Sequence, residues 1–391
     1  MSVFAAVMTG KGTGAIATIQ ICGESAKSIL EKIFLVRRSA SEVGKPAVEF
    51  KIGKICVGTI TDGNRTIDQV TIDCEETNAF AINCHGNPLI VEQIMQLLQR
   101  QGVELLTAEQ LICRTFADSN TIALEAKLNL PKAKTIEGTR IILNQINSGL
   151  TSTARNWLGN IDTNKIAAEA KNILEASQIA RLIIFGCRVV LAGPPNTGKS
   201  TLLNQLCGRQ KAIVTNIKGT TRDWVSASCR TGPLAVELID TAGLDDKLAD
   251  DIDKAAQQMA SELINQANLV LLVLDNSQPA EQLTTGLIKT ISGKKTLTVL
   301  NKSDLSTRFD LAKLPSNLAS NVVQTSALLG TGIDTLAEKI CEVTGIANSD
   351  FAKPACFTTR QEQLLTQLAA VKSKDAAHSI ITELLSGRLN V

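Results

Sequence analysis

The chain has 391 residues, 44% hydrophobic and 20% charged, with a formal net charge of +2, so two or three domains with ample core fit the length and no bulk charge recruits DNA or an anionic membrane. Aromatic residues are only 3% with no Tyr, which argues against a stacked-ring platform for single strands, and ten scattered cysteines with two histidines, His85 and His378, offer no zinc spacing. No apolar run, Leu269 to Leu274 included, is long enough to span a bilayer and no charged leader precedes one, so a cytoplasmic protein with reduced thiols and no membrane partner is expected.

Ala15 to Ile21 reads as a strand after the turn-rich Thr9 to Gly14. Ser28 to Val36 has helical spacing at Ile29, Leu30, Ile33 and Phe34. Two β-rich runs, Lys54 to Thr61 and Thr66 to Asp73, flank Asp62-Gly63 as a hairpin turn. Ala79 to Cys84 is another strand. Pro88 then opens a helix, with Ile90, Val91, Ile94, Leu97 and Leu98 on its apolar face, and Gly102 closes it. Residues 1–116 therefore predict an α+β domain. The glycines near Gly10 lack a Lys-Ser ending and read as a loop, and His85 in Cys84-His85-Gly86 is left without a role.

Residues 117–182 predict helices, with Thr135 to Ile146 and Ala167 to Leu182 the clearest. Arg360 to Val371 and Ala376 to Leu385 predict two more. Residues 183–345 between them alternate strand and helix. The predicted fold is α/β: a phosphate-loop domain over 183–345 inserted in an all-helical domain made of 117–182 plus 346–391, preceded by the N-terminal α+β domain.

The inserted region opens on an apolar, β-branched run, Val189 to Ala192, followed by Gly193, four residues, then Gly198-Lys199-Ser200 and a helix-forming run. That spacing is the phosphate-binding loop pattern. Glycines let the backbone wrap an anion without Cβ clashes, and the following helix begins at the phosphates with its positive dipole end. Asn196, Thr197, Gly198, Lys199, Ser200 and Thr201 are the expected nucleotide contacts. Lys199 has the reach for the β- and γ-phosphates, and Ser200 the hydroxyl for Mg²⁺.

Asp240-Thr241-Ala242-Gly243 ends a second apolar strand. Asp240 suits Mg²⁺ held through water, and the Gly243 amide suits the γ-phosphate. Asn301-Lys302-Ser303-Asp304 ends a third, and the Asp304 carboxylate accepts from the N1 and N2 donors of guanine, which adenine lacks. Asn301 is expected to tie this loop to the phosphate loop, and the Ala327 amide after Ser326 to meet guanine O6. Four such pieces in this order predict GTP. Val214 to Asp223 carries the threonines of a switch loop, with Thr221 favoured for Mg²⁺ and Thr220 the alternative. Leu244 stands where a water-orienting glutamine is found elsewhere, so hydrolysis needs another device.

As a set, the loop Pro195-Asn196-Thr197-Gly198-Lys199-Ser200, Gly219-Thr220-Thr221-Arg222-Asp223 and Asp240 to Leu244 resemble the tRNA-modification GTPase family MnmE, also called TrmE. The resemblance covers nearly the whole chain. Gly12 to Ile16, Cys84-His85-Gly86 and Arg114-Thr115-Phe116 look like that family's N-terminal signatures. It implies a K⁺-stimulated GTPase that forms a homodimer through its N-terminal domain, binds a folate derivative there, and works with an MnmG-like protein on tRNA. It further implies that Asn196 and Thr215 hold K⁺ in place of an arginine finger, and that Asp253 stands at the switch carboxylate handling water. Three departures speak against folate binding: Gln20 where the family usually has Arg, a shorter Ala117 to Leu124 segment, and an end at Val391 in place of Cys-Ile-Gly-Lys. Cys356 reads as a buried helix residue. A regulatory GTPase of the same descent, switching a protein partner and modifying nothing, is the second expectation.

Overall fold

The computed structural model describes residues 3–10, 12–36, 50–116, 120–209, 225–240 and 252–389. Contacts divide the chain into one unit up to Leu124 and a second over Glu125–Gly387.

The first unit is built on a seven-stranded sheet. Its elements are β1 (Phe4–Val7), β2 (Ile16–Cys22), α1 (Ala26–Ile33), β3 (Phe34–Val36), β4 (Ile55–Asp62), β5 (Arg65–Glu76), β6 (Ala79–His85), α2 (Pro88–Arg100), β7 (Glu104–Leu105) and α3 (Ala108–Thr115). The spatial order is β3-β4-β5-β6-β2-β1-β7. Alternation along β2 and β6 sends Ile19, Ile21, Phe80 and Ile82 into a core with Leu30, Ile94 and Leu98 of the helices. Asn87 caps α2 by accepting from the Leu89 N–H at 2.9 Å, and Pro88 fills the first turn.

Two expectations need correction here. The helix predicted to Val36 ends at Ile33; Phe34 to Val36 instead pair with β4, because Phe34 is buried while Leu35 is exposed, a period of two. The hairpin turn is Gly63-Asn64, not Asp62-Gly63, since Asp62 pairs with Arg65 and Gly63 takes the positive φ of 59°.

The helix α4 (Thr121–Asn129) carries the chain into the second unit, where α5 (Ile136–Asn147), α6 (Gly149–Gly159) and α7 (Thr163–Phe185) follow. Then come β8 (Cys187–Ala192), α8 (Lys199–Arg209), β9 (Val225–Thr231), β10 (Leu234–Asp240), α9 (Ile252–Gln266), β11 (Leu269–Asp275), α10 (Thr285–Ile291), β12 (Thr296–Asn301), α11 (Ser316–Ala319), β13 (Val322–Gln324) and α12 (Ile333–Val343). The last two helices are α13 (Thr359–Ala369) and α14 (Lys374–Ser386). The six-stranded sheet runs β13-β12-β11-β8-β10-β9, parallel except for β9. Helices cover both faces, which is why β11 is buried at every position and reads as an unbroken apolar run. Val189 and Leu191 face one core with Leu202, Leu206, Ile141 and Ile184, while Val190 and Leu272 face the other with Ile264 and Leu318.

The flanking helices meet each other. Arg181 pairs with Glu362 at 2.7 Å, Asn144 donates to the Ala352 carbonyl at 2.7 Å, and the Cys356 N–H donates to Ser177 Oγ at 2.8 Å. Buried Glu125 accepts from Arg360, Thr358 and Gln361. Cys356 is fully buried but precedes α13 in non-helical chain, because the backbone there is occupied with bonds to Gln145 and Ser177.

Candidate nucleotide site at the carboxyl ends of the parallel sheet

Strand β8 lies between β10 on one side and β11 on the other. The strand order reverses at that point, and ligands of open α/β sheets bind in the crevice it leaves at the carboxyl ends. The phosphate loop leaves β8 there. Gly193 has φ of 151°, and a Cβ on it would lie 2.1 Å from the Val273 carbonyl oxygen. Gly198 has φ of 90°, and a Cβ there would meet Asn301 Nδ2 at 2.4 Å. Both positions demand glycine for close backbone approach, the physical content of the motif.

Lys199 is 3% exposed and folds back on its own loop, donating to the Gly193 and Pro194 carbonyls at 2.8 and 2.9 Å. Thr197 Oγ1 donates to the Pro194 carbonyl at 3.0 Å. Ser200 Oγ donates to Asp240 Oδ2 at 2.5 Å, so the two oxygen ligands expected for Mg²⁺ already converge from α8 and β10. Hard oxygens from a hydroxyl and a carboxylate are what that cation takes. Thr201 is exposed on the first turn of α8.

The Asn-Lys-x-Asp stretch ends β12 and meets the phosphate loop directly. Asn301 Nδ2 donates to the Thr197 carbonyl at 2.8 Å. Asn301 Oδ1 accepts from the Ala327 N–H at 2.9 Å and Thr325 Oγ1 at 3.2 Å. The Ala327 amide, expected to face guanine O6, is thus engaged by Asn301 here. Asp304 is exposed, with Oδ1 accepting from Ser326 Oγ at 2.5 Å, so Ser326 orients the carboxylate expected to read guanine. Lys302 Nζ bridges the Asn196 carbonyl and Asp275 Oδ2, both at 2.7 Å. Asn196 and Lys302 have φ of 60° and 61°.

Asp275, at the end of β11, escaped the sequence reading because one aspartate closing an apolar strand carries no motif. It is 6% exposed. Burial pushes its carboxyl up, but bonds from Lys302 and Ser277 outweigh burial and hold it below the usual carboxylate range. His85 also has a partner: Nδ1 lies 2.7 Å from buried Asp68, whose other oxygen accepts from the His85 N–H at 2.8 Å. Gln20 Nε2 donates to Glu75 at 2.6 Å. Thr215, Thr220, Thr221, Gly243 and Leu244 lie outside the described residues. Asp253 falls in the first turn of α9, and its side chain is likewise outside them.

A phosphate loop at the switch point of a parallel sheet, an aspartate ending the neighbouring strand and an Asn-Lys-x-Asp loop bonded to the phosphate loop define a P-loop G domain. A family profile described as 50S ribosome-binding GTPase matches residues 188–302, and one described as GTP-binding protein TrmE N-terminus matches residues 3–117. The tRNA modification GTPase MnmE of Clostridioides difficile is 28% identical over 375 residues, spanning 86% of this chain and 80% of that protein. The same-named protein of Bacillus cereus is 29% identical over 380 residues, 87% of this chain and 81% of its own. Among solved structures, the G domain of the T. maritima FeoB iron transporter aligns at 30% identity with a TM-score of 0.33, covering 40% of this chain and 98% of that one. Over most of its length the chain is similar to the MnmE/TrmE family.

Proposed function

We propose that this chain binds GTP with Mg²⁺, hydrolyses it, and uses the cycle in modifying tRNA at the wobble uridine. The observation that carries the reading is the joining of Asn301 and Lys302 to the phosphate loop, beside converged Ser200 and Asp240. Its support at chain length comes from relatives named tRNA modification GTPase MnmE, matched over 80% or more of their own length.

In this reading Lys199 exchanges the Gly193 and Pro194 carbonyls for phosphate oxygens, which are stronger acceptors because they are charged. Ser200, Asp240 and Thr221 would hold Mg²⁺, which neutralises charge on the phosphates when bound. Asp304 and Ser326 select guanine. Thr220 and the Gly243 amide contact the triphosphate, Asp253 positions water, and Asn196 with Thr215 holds K⁺; these assignments rest on motif position. A G domain over 183–345 is inserted in a helical domain of 117–182 plus 346–391, a division favoured by the bonds of Arg181, Asn144 and Ser177 across the flanks. A homodimer through the N-terminal domain, an MnmG-like partner and a cytoplasmic location follow from the similarity to that family. Binding of a folate derivative is weak or absent, because Gln20 is engaged by Glu75 and brings no cation.

The test is a strain deleted for its MnmE and carrying this chain, assayed for wobble-uridine modification, with GTP turnover measured in matched KCl and NaCl. Restored modification and faster turnover in K⁺, lost in Asn196→Ala, are expected. GTP turnover without modification would replace this reading with a GTPase switch acting on a protein partner. Absence of GTP binding would remove both.

A further inference from the structure

Strand β11 ends on Asp275 and β12 on Asn301, and the parallel register sets these two residues side by side. Lys302, the next residue, is thereby delivered to the Asp275 carboxylate. That carboxylate is held at both oxygens. Its Oδ1 accepts from the Ser277 N–H at 2.8 Å and from Ser277 Oγ at 2.6 Å, while Oδ2 accepts from the Lys302 ammonium at 2.7 Å. The Asp275 backbone is pinned as well: its N–H donates to Gln282 Oε1 at 2.9 Å, and its carbonyl accepts from Gln282 Nε2 at 2.8 Å. The Asp275 side chain is 8% exposed against 33% for Lys302, so the acid is the fixed member and the lysine the arm.

The arm ends on the phosphate loop. Lys302 Nζ also donates to the Asn196 carbonyl at 2.7 Å. Asn196 has φ of 60°, a backbone conformation that is costly for a non-glycine residue and has to be held. An ammonium on a flexible four-carbon stem does not select one acceptor unaided. A charged bond is stronger than a neutral one, so the buried carboxylate decides where the ammonium sits.

We propose that Asp275 is a positioning residue for nucleotide binding: acting through Lys302, it holds the Asn196 carbonyl and with it the shape of the phosphate loop. The proposal rests on the reading of this chain as a GTP-binding protein, and adds to it a residue outside the motifs that support that reading.

Two consequences follow from the geometry. GTP and GDP use the same loop, so a loosened Asn196 carbonyl weakens both alike. Asp275 and Lys302 form one clamp, so losing either breaks it, and losing both breaks it only once. A role confined to stability predicts neither: it lowers Tm and leaves nucleotide affinity where it was.

The experiment measures GTP and GDP binding to the full chain by calorimetry, with Tm by circular dichroism, for the native protein, Asp275→Asn, Lys302→Met and the double variant. Asp275→Asn keeps the shape of the side chain and an oxygen for the Ser277 bonds, and removes the charge that fixes the ammonium. A loss of about tenfold in affinity for both nucleotides is expected in Asp275→Asn, and a double variant no weaker than Lys302→Met alone. Thr298→Ala is the comparison, because it takes from β12 a buried hydroxyl that donates to the Leu318 carbonyl at 2.9 Å; it should lower Tm with both Kd values unchanged. Losses that add in the double variant would show Asp275 acting apart from Lys302 and overturn the proposal. So would Asp275→Asn with a lowered Tm and native Kd values. Should Asp275→Asn fail to fold, Ser277→Ala decides, since it frees Oδ1 without stripping Lys302 of its partner. A shared weakening of about twofold or more for GTP and GDP supports the clamp, and unchanged Kd values overturn it. A native chain that binds neither nucleotide removes the GTP reading and this proposal together; native binding with unaltered variants removes the proposal alone.

Discussion

Replacing Asn301 with alanine tests the junction between the base loop and the phosphate loop. Its side chain, 2% exposed, serves the Thr197 carbonyl, the Ala327 N–H and Thr325 Oγ1, all on residues that are themselves buried. Each bond contributes about 1 kcal/mol net, and each buried partner left without one costs roughly 1–3 kcal/mol. Thr325 Oγ1 can rotate to another acceptor, and the gap left by the small side chain is cheap to relax. A loss of roughly 3–5 kcal/mol is therefore expected. For a domain of this size that lowers Tm by about 10 °C, measured by circular dichroism. GTP should bind at least about tenfold more weakly by calorimetry, since Thr197 loses the contact that holds its carbonyl in place. A Tm shift below about 2 °C together with an unchanged Kd would refute the reasoning, because it would mean that the two loops hold their geometry without this bridge.

Asp304→Asn should weaken GTP roughly a hundredfold and transfer preference to xanthosine triphosphate, because the amide presents a donor where guanine also donates; competition binding with both nucleotides reads it, and retained GTP preference would remove Asp304 from base selection. Lys199→Ala and Ser200→Ala should each abolish hydrolysis with secondary structure intact; unchanged turnover in either would take the phosphate loop out of the chemistry. Asp275 sits below its ordinary range when folded, so it stabilises the fold above its unfolded pKa and that share is lost as pH falls through the folded value. The Tm advantage of the native chain over Asp275→Asn should be full at neutral pH and shrink below about pH 4, and an advantage independent of pH would show that Asp275 acts without its charge.

The candidate nucleotide site was legible because the chemistry it suggests is local. Backbone cradle, lysine and hydroxyl occupy consecutive positions, and glycines at Gly193 and Gly198 mark where another chain segment comes within about a van der Waals contact. The sheet strands were legible from unbroken apolar runs such as Leu269–Asp275. What escaped was set by partners distant in sequence. Phe34 continues a helical period, yet β4 captures it as a strand. Asp275 gains meaning only when Lys302 arrives from the next strand. Asp68 and His85 lie on paired sheet strands that the sequence does not align.

Asn196 and Lys302 are the non-glycine residues with positive φ among the described residues, and they touch: Lys302 Nζ donates to the Asn196 carbonyl at 2.7 Å. Left-handed backbone costs a non-glycine residue about 1–2 kcal/mol, somewhat less for asparagine. Two such residues persist only where surrounding bonds over-determine them. Here the bonds are identifiable: Asp275 and the Asn196 carbonyl fix the Lys302 ammonium, and Asn301 fixes the Thr197 carbonyl next to Asn196. The strained residue of the base loop therefore holds the strained residue of the phosphate loop, and both are held by paired side chains. On the proposed reading, a GTP would meet a phosphate cradle and a base reader whose relative geometry these bonds fix, so little of its binding energy would go into ordering them.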